Sequence, residues 1–391
     1  MSDQPDNPAG QAAGPPADFR ALLAPLRAEI DQLDARLLDL LQQRARAAIE
    51  LGRIKKRSSL PIMDLTRERE VVTRLAQKSG PGEGLGTEAV IGVFTEIIKA
   101  CRAAQAPTKV AFLGPAGTFS HAAALQQFGR LAQLIPCDDL AEAFRAAEAG
   151  EADFALAPFE NTTEGIVGQT LDLMTATDLR VQATLNLPVR LSLMSVHGEL
   201  PRIRSVSSHP QALAQCRNWL ALNMPGVELR PAVSTAAGAT MALSDESTAV
   251  IGHPSLSSFY NLTVMSGDLQ DFKHNQTCFF ILSRDDGLPT GRDRTLAWFA
   301  APHSSGSLYN CLQPLATAGV NLTRLHSRPN PGQPWEYLFF LELEGHFQDE
   351  KVIAAIAALK AETEKCRVLG SYTAPEEPAE TSAKVQSAPL F

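Results

Sequence analysis

Basic residues recur at helical spacing in the first quarter of the chain. Arg44 and Lys55 stand 11 residues apart. That is about three helical turns, so they share one face ~16 Å apart. Two long cationic side chains leaning toward each other across that gap can grip one small anion. Arg27 lies 17 residues before Arg44, ~25 Å farther along the same rod. On a straight helix it reaches only the ligand of an antiparallel partner chain. Asp64, Arg67 and Glu68 follow, with Asp64 and Glu68 one turn apart, and Cys101 and Gln105 repeat that one-turn step. Between Arg44 and Arg74 nine basic residues meet four acidic ones, inside a chain of net charge −8. A small-anion pocket and a solvated basic helix face both fit this pattern.

A second set of polar residues sits at strand-to-turn junctions: GPAGTFSH (114–121), FENTTEG (159–165), SSHPQA (207–212) and STAAGA (234–239). Ser, Thr and Asn cap helix N-termini, whose unpaired N–H groups bind carboxylates readily. Each junction alone reads as a cap; several converging on one cleft would form a small-anion site. GPAGT lacks the GK[ST] ending of a phosphate loop. His121, His209 and His274 read as capping or packing residues ahead of catalytic acids.

These residues need elements to hold them. Leu26, Ile30, Leu33, Leu37, Leu40, Leu41, Leu51 and Ile54 recur at three- and four-residue steps, predicting one very long helix with Pro25 in its first turn. A second helix is expected from Asp64 through Leu75 and a third around Val90–Cys101, separated by a glycine-rich turn. Three such helices make a poor monomeric core, and a dimer with exchanged helices buries their stripes better. After AQAPTKVAFLGPAG the rhythm changes to short β-rich runs alternating with helices, an α/β pattern. The expected strands are Lys109–Leu113, Phe154–Ala157, Val181–Leu185, Arg190–Val196, Arg204–Val206, Ala249–Gly252 and Cys278–Leu282. Beyond DDGLPTGRDR the order reads βαββαβ, the ferredoxin-like arrangement. Residues 1–17 and 373–391 are rich in Pro, Ala and polar residues and are expected to be disordered.

At 391 residues with 45% hydrophobic content the chain is of ordinary multidomain globular type. No apolar run approaches the ~18 residues that cross a bilayer, and the N-terminus lacks the basic start and apolar core of a secretory signal. Six cysteines at 101, 137, 216, 278, 311 and 366 form no CxxC pair. Reduced thiols in a cytoplasmic protein are expected, not a metal site or a disulfide framework. The acidic balance argues against nucleic acid.

The run LRAEIDQLDARLLDLLQQRARAAIELGRIK, with DLTRERE and IIKACRAAQ, resembles the all-helical chorismate mutases over about residues 22–105. The resemblance implies a substrate site of Arg44, Lys55, Asp64, Arg67, Glu68, Cys101 and Gln105, completed by Arg27 from a partner chain. In that family chorismate rearranges to prephenate without a nucleophile. Arginines grip the carboxylates, Lys55 and Gln105 donate to the ether oxygen, and Glu68 binds the ring hydroxyl. VAFLGPAGTFSHAAA, FENTTEGIVGQTLDLM, SSHPQALAQC, STAAGA and QTCFFIL are similar to the prephenate dehydratases over about 109–284. That likeness implies two α/β lobes around a cleft, with Thr277 as the catalytic hydroxyl. Asn161, Ser208 and Gln215 are then expected at the substrate, with Thr118 and Thr235 beside them. The family usually shows Thr-Arg-Phe where this chain has Thr277-Cys278-Phe279. The lost guanidinium contact is worth ~1.5–3 kcal/mol, so Lys273, Arg284 or His274 takes its place or dehydration is weakened. Cys278 itself reads as a buried inert thiol or a redox-reactive one.

Residues 295–372 resemble an ACT domain, a ligand-sensing module. Gly306-Ser307-Leu308-Tyr309 stands at its GALV motif and His326-Ser327-Arg328-Pro329 at its ESRP motif. Gly306, Ser307, Leu308, Ser327 and Arg328 are therefore the expected phenylalanine site, and Trp335 is expected to line a pocket or interface. Together the resemblances imply a helical mutase domain (18–106), a bilobal α/β dehydratase domain (108–285) and an α+β ferredoxin-like regulatory domain (295–372). They imply a homodimer or higher homo-oligomer with no metal or organic cofactor. The alternatives are a mutase fused to a non-catalytic sensor, and a prephenate decarboxylase-like variant.

Overall fold

The computed structural model describes residues 17–57, 65–79, 84–330 and 336–374. Asp64 and Trp335 lie outside them, as do the expected tails apart from Ala17, which opens the first helix, and Thr373 and Ala374.

Three helices come first: α1 (Ala17–Arg57), α2 (Leu65–Lys78) and α3 (Thr87–Gln105). At 41 residues, α1 is ~60 Å long. It starts earlier than its leucine stripe predicts, because ADFRALLA is rich in strong helix formers. Pro25 is consequently inside the helix and not in its first turn. Helix α3 packs against both α1 and α2, burying Ile98 and Cys101. Most of the α1 stripe finds no such cover: Leu26, Ile30, Leu33, Leu37 and Leu40 are 47–60% exposed.

The next unit opens with β1 (Lys109–Leu113), α4 (Phe119–Phe128), β2 (Gln133–Cys137), α5 (Leu140–Glu148), β3 (Phe154–Asn161), β4 (Gly165–Ile166), α6 (Gly168–Ala176) and β5 (Arg180–Pro188). The chain crosses to a second lobe with β6 (Ser192–Ser195), β7 (Ser205–Ser208), α7 (Pro210–Gln215), α8 (Arg217–Asn223), β8 (Glu228–Pro231), α9 (Thr235–Ser244), β9 (Thr248–Gly252), α10 (Ser255–Tyr260) and β10 (Thr263–Ser266). It returns to the first lobe as β11 (Gln276–Ser283). The first sheet has the order β2-β1-β3-β11-β5, with β4 on β3, and the second β10-β6-β9-β7-β8. Both are mixed. All seven expected strands of this unit fall on observed ones; β2, β4, β8 and β10 were not anticipated.

The last unit is β12 (Asp293–Ala300), α11 (Ser307–Thr317), β13 (Leu322–Pro329), β14 (Tyr337–Glu344), α12 (Glu350–Ala361) and β15 (Lys365–Thr373). Its four-stranded antiparallel sheet, β13-β14-β12-β15, is the ferredoxin-like order read from the sequence. One face packs on α11 and α12 through Phe299, Leu341 and Leu343. The other carries Leu296, Trp298, Phe340 and Tyr372 into one core with Phe159 and Phe280 of the first lobe. The C-terminal sheet and the α/β lobe thus share a hydrophobic core. Among the described residues no helix is long and apolar enough to cross a membrane.

Candidate active sites

The three N-terminal helices enclose a pocket of about 310 Å³. Arg44, Leu51 and Lys55 enter it from α1, Arg67, Glu68 and Val71 from α2, and Ile98, Cys101, Arg102 and Gln105 from α3. Six residues singled out by helical spacing are therefore brought to one cavity, although they span 62 positions of sequence. Close approach of α3 to α1 depends on Gly52, where a Cβ would come 3.0 Å from that of Gln105. Gln105 Oε1 is buried without a hydrogen-bond partner. Such a group costs about 1–3 kcal/mol unless a ligand meets it, and a half-turn of the amide offers N–H in its place. Arg27 is exposed on α1 and is not among the described residues lining the pocket.

Arg102 is the residue that sequence reading missed. It is 3% exposed. Its Nη1 donates to both Glu68 carboxylate oxygens, at 2.9 and 3.1 Å. Its Nη2 donates to the carbonyls of Gln127 and Phe128 at 3.1 and 3.3 Å, and its guanidinium lies 5.9 Å from the Phe128 ring centre. No periodicity marks it, because both partners lie on other elements.

In the α/β unit the segments that follow the parallel strands β1 of one lobe and β9 of the other meet at one junction, the usual ligand position in such sheets. Contacts across it are aromatic: Phe119 meets His253 and His121 meets Phe259, each at 5.4 Å between ring centres. Because β11 runs antiparallel to β3, its first residues meet the end of β3, and Thr277 lies in register with Asn161. Asn161 Oδ1 accepts from the backbone N–H of Thr163 and Glu164 at 2.9 and 3.0 Å. That fixes its amide nitrogen on the Thr277 hydroxyl oxygen at 2.9 Å and the Gln276 carbonyl at 3.2 Å. The Thr277 oxygen accepts, and its own proton points elsewhere.

Thr118 caps α4, accepting from His121 N–H, and Thr235 is buried at the start of α9 behind its Ser234 cap. His121 Nδ1 accepts from Gly117 N–H at 3.0 Å, and burial lowers its pKa. His209 caps α7 and His274 is exposed. Ser208 is fully buried at the end of β7, and its hydroxyl donates to the Ile251 carbonyl. Gln215 is buried at the end of α7, its backbone carbonyl accepting from Asp271 N–H.

Cys278 faces away from Thr277, packing against the core shared with the C-terminal sheet. Burial pushes its thiol to about 11 against the pull of the neighbouring Arg324 guanidinium, which favours the protonated, unreactive form. The cation beside it is thus Arg324 of β13. Of the three anticipated substitutes, Arg284 lies past the far end of β11, against Gly150. Arg324 also pairs with Glu160 at 3.0 Å, and Glu160 is the register partner of Cys278.

In the C-terminal unit Gly306 takes φ of 81° at the cap of α11, a conformation natural to glycine. Ala300 and Arg328 both pair with Leu338, so the α11 start and the end of β13 lie at one end of the sheet. Ser327 and Arg328 point to opposite faces. Ser327 is exposed; Arg328 turns to the α/β lobe and pairs with Asp172 of α6.

Comparison with known proteins agrees with this geometry. Residues 26–106 match the family model for chorismate mutase type II and residues 110–287 that for prephenate dehydratase. A bifunctional chorismate mutase/prephenate dehydratase of Aquifex aeolicus (strain VF5) is 38% identical, over 90% of this chain and 97% of that one. Its counterpart from Neisseria gonorrhoeae is 36% identical over the same shares. The crystal structure of a prephenate dehydratase from Arthrobacter aurescens, in complex with L-Phe, superposes with a TM-score of 0.63 at 36% identity, covering 68% of this chain and 90% of that one. The chain belongs to the bifunctional chorismate mutase/prephenate dehydratase family.

Proposed function

We propose that the chain rearranges chorismate to prephenate in the helical pocket and converts prephenate to phenylpyruvate in the bilobal cleft. The convergence of Arg44, Lys55, Arg67, Glu68, Cys101 and Gln105 on one cavity carries the first reading. A concerted rearrangement needs a compact conformer held in place and donors where charge develops on the ether oxygen. Arg44 and Arg67 grip carboxylates in bidentate fashion. Lys55 and Gln105 serve the ether oxygen, and Glu68 accepts from the ring hydroxyl. Asp64 would join them, and Cys101 lines the same cavity.

The Asn161–Thr277 pair supports the second reading. As carbon dioxide leaves, its electron pair enters the ring and expels the hydroxyl, which needs one proton to depart as water. With its oxygen occupied by Asn161, the Thr277 hydroxyl is oriented to donate toward that leaving group. Thr118 and Thr235 stand at the N-termini of α4 and α9, ends that favour carboxylates. Ser208 and Gln215 brace the second lobe beneath this surface.

The βαββαβ unit is read as an ACT domain. Phenylalanine would bind between its copies, at Gly306, Ser307, Leu308 and Ser327, with Arg328 relaying occupancy through Asp172, and would inhibit the enzyme. Two chains would pair along α1, covering its exposed leucines and lending Arg27 to the partner's pocket. Six free cysteines suit a reducing, cytoplasmic setting.

The decisive experiment incubates the full chain with chorismate, with and without phenylalanine, and follows products by absorbance and mass. Prephenate, then phenylpyruvate, slowed by phenylalanine, is expected. Unchanged chorismate removes the helical site, unchanged prephenate makes the cleft a sensor, and a non-aromatic decarboxylated product makes it a decarboxylase.

A further inference from the structure

We propose that Arg102 is a positioning residue of the helical pocket: braced on the end of α4, it holds the Glu68 carboxylate aimed at the ligand's hydroxyl. The guanidinium offers Nη1 to both Glu68 oxygens and Nη2 to two carbonyls in the last turn of α4. Those carbonyls have no partner within their own helix and carry the negative end of its dipole, so they anchor a cation well. With one edge fixed there and the Phe128 ring beneath it, the guanidinium has little rotational freedom. Its other edge then fixes the plane of the Glu68 carboxylate. Both residues line the cavity, and Glu68 side-chain exposure is 25% against 4% for Arg102, so the carboxylate is the more accessible of the pair. The pocket wall is thereby set by a helix of the α/β unit, 25 and 26 residues farther along the chain.

The inference rests on reading the helical pocket as the mutase site, and the test separates the two. Arg102→Leu, Arg102→Lys, Glu68→Gln and Arg102→Leu/Glu68→Gln are made in the full chain. Chorismate kcat and KM are measured across pH, with dehydration of added prephenate as the fold control. Arg102→Leu is expected to lower mutase kcat/KM roughly 10- to 100-fold. It should also move the acid limb of the profile to higher pH, because a carboxylate stripped of its cation protonates more readily. Arg102→Lys keeps the charge but not the fork, so it should lose several-fold with the acid limb in place. In the Glu68→Gln background Arg102→Leu should cost nothing further. Wild-type kcat/KM and an unmoved acid limb in Arg102→Leu overturn the proposal. So do losses that multiply those of Glu68→Gln. If Arg102→Leu also loses dehydration, Arg102→Lys decides, and wild-type turnover there overturns the proposal. A Glu68→Gln enzyme with wild-type turnover removes the pocket reading and this inference together; a crippled Glu68→Gln beside an intact Arg102→Leu removes the inference alone.

Discussion

With Oδ1 accepting from two backbone N–H groups, Asn161 keeps its amide nitrogen on Thr277. Asn161→Asp preserves those two bonds but replaces the donor by an acceptor. The Thr277 proton would turn to the new carboxylate and away from the substrate. Phenylpyruvate formation should fall ~100-fold or more, while chorismate turnover stays within about twofold because the sites share no partner. Ordinary dehydration by this variant would remove Thr277 as the donor. His253 gives a second prediction. Burial, and then Arg190, holds its pKa at about 4 against an ordinary 6.5. The unfolded chain takes its proton near 6.5 and the folded chain only near 4, so stability is complete above that window and declines as pH falls through it, by ~1–3 kcal/mol. Urea midpoints measured between those limits should drop, and His253→Gln should flatten the decline. The catalytic-type residues were readable because helical spacing and turn chemistry mark them. Arg102 and Arg324 were not, since each acts on a carboxylate of another element, 34 and 164 positions away.

Among elements, three of the four strands that sequence reading missed have a common place. β2 ends the first sheet, and β8 and β10 are the two ends of the second. Edge strands are short and wetted on one side, and β2 and β8 each contain proline, which edges tolerate; little hydrophobic alternation survives in them. Central strands such as β9, buried throughout, were unmistakable. β13 is also an edge, and alternation gives it two jobs. Arg324, His326 and Arg328 meet the α/β lobe at Glu160, Phe159 and Asp172, while Ser327 faces the other way. Behind Arg324 lies Glu342, 1% exposed, which also binds Arg294 at 2.9 Å and the Thr323 and Tyr372 hydroxyls. Arg324→Met should therefore destabilise the joint between the two units by ~1–3 kcal/mol, the loss softened because Arg294 still neutralises Glu342. The urea midpoint checks this. An unchanged midpoint in Arg324→Met would mean that the shared hydrophobic core alone joins the two units.

For the molecule as a whole, the open question is what covers α1. Its leucine stripe is too long and too apolar to face water on a free-standing helix. Its Arg27 lies ~25 Å from the pocket that its own Arg44 enters. Both facts fit the antiparallel second chain proposed above, and both were visible in the spacing of leucines and arginines before any fold was known. The pairing makes a quantitative demand. Arg27→Ala and Arg44→Ala enzymes should each be nearly inactive on chorismate, the first lacking the lent cation and the second the resident one. Coexpressed, half of the randomly assorted dimers carry one chain of each kind. In such a dimer one pocket takes Arg44 from the first chain and Arg27 from the second and is intact, while the other lacks both. Mutase activity should return to about a quarter of wild type. Differently tagged chains, purified through both tags, isolate the mixed dimer and should reach about half. A self-contained pocket predicts no recovery in either preparation, and full activity of Arg27→Ala on its own would show that no cation is borrowed at all.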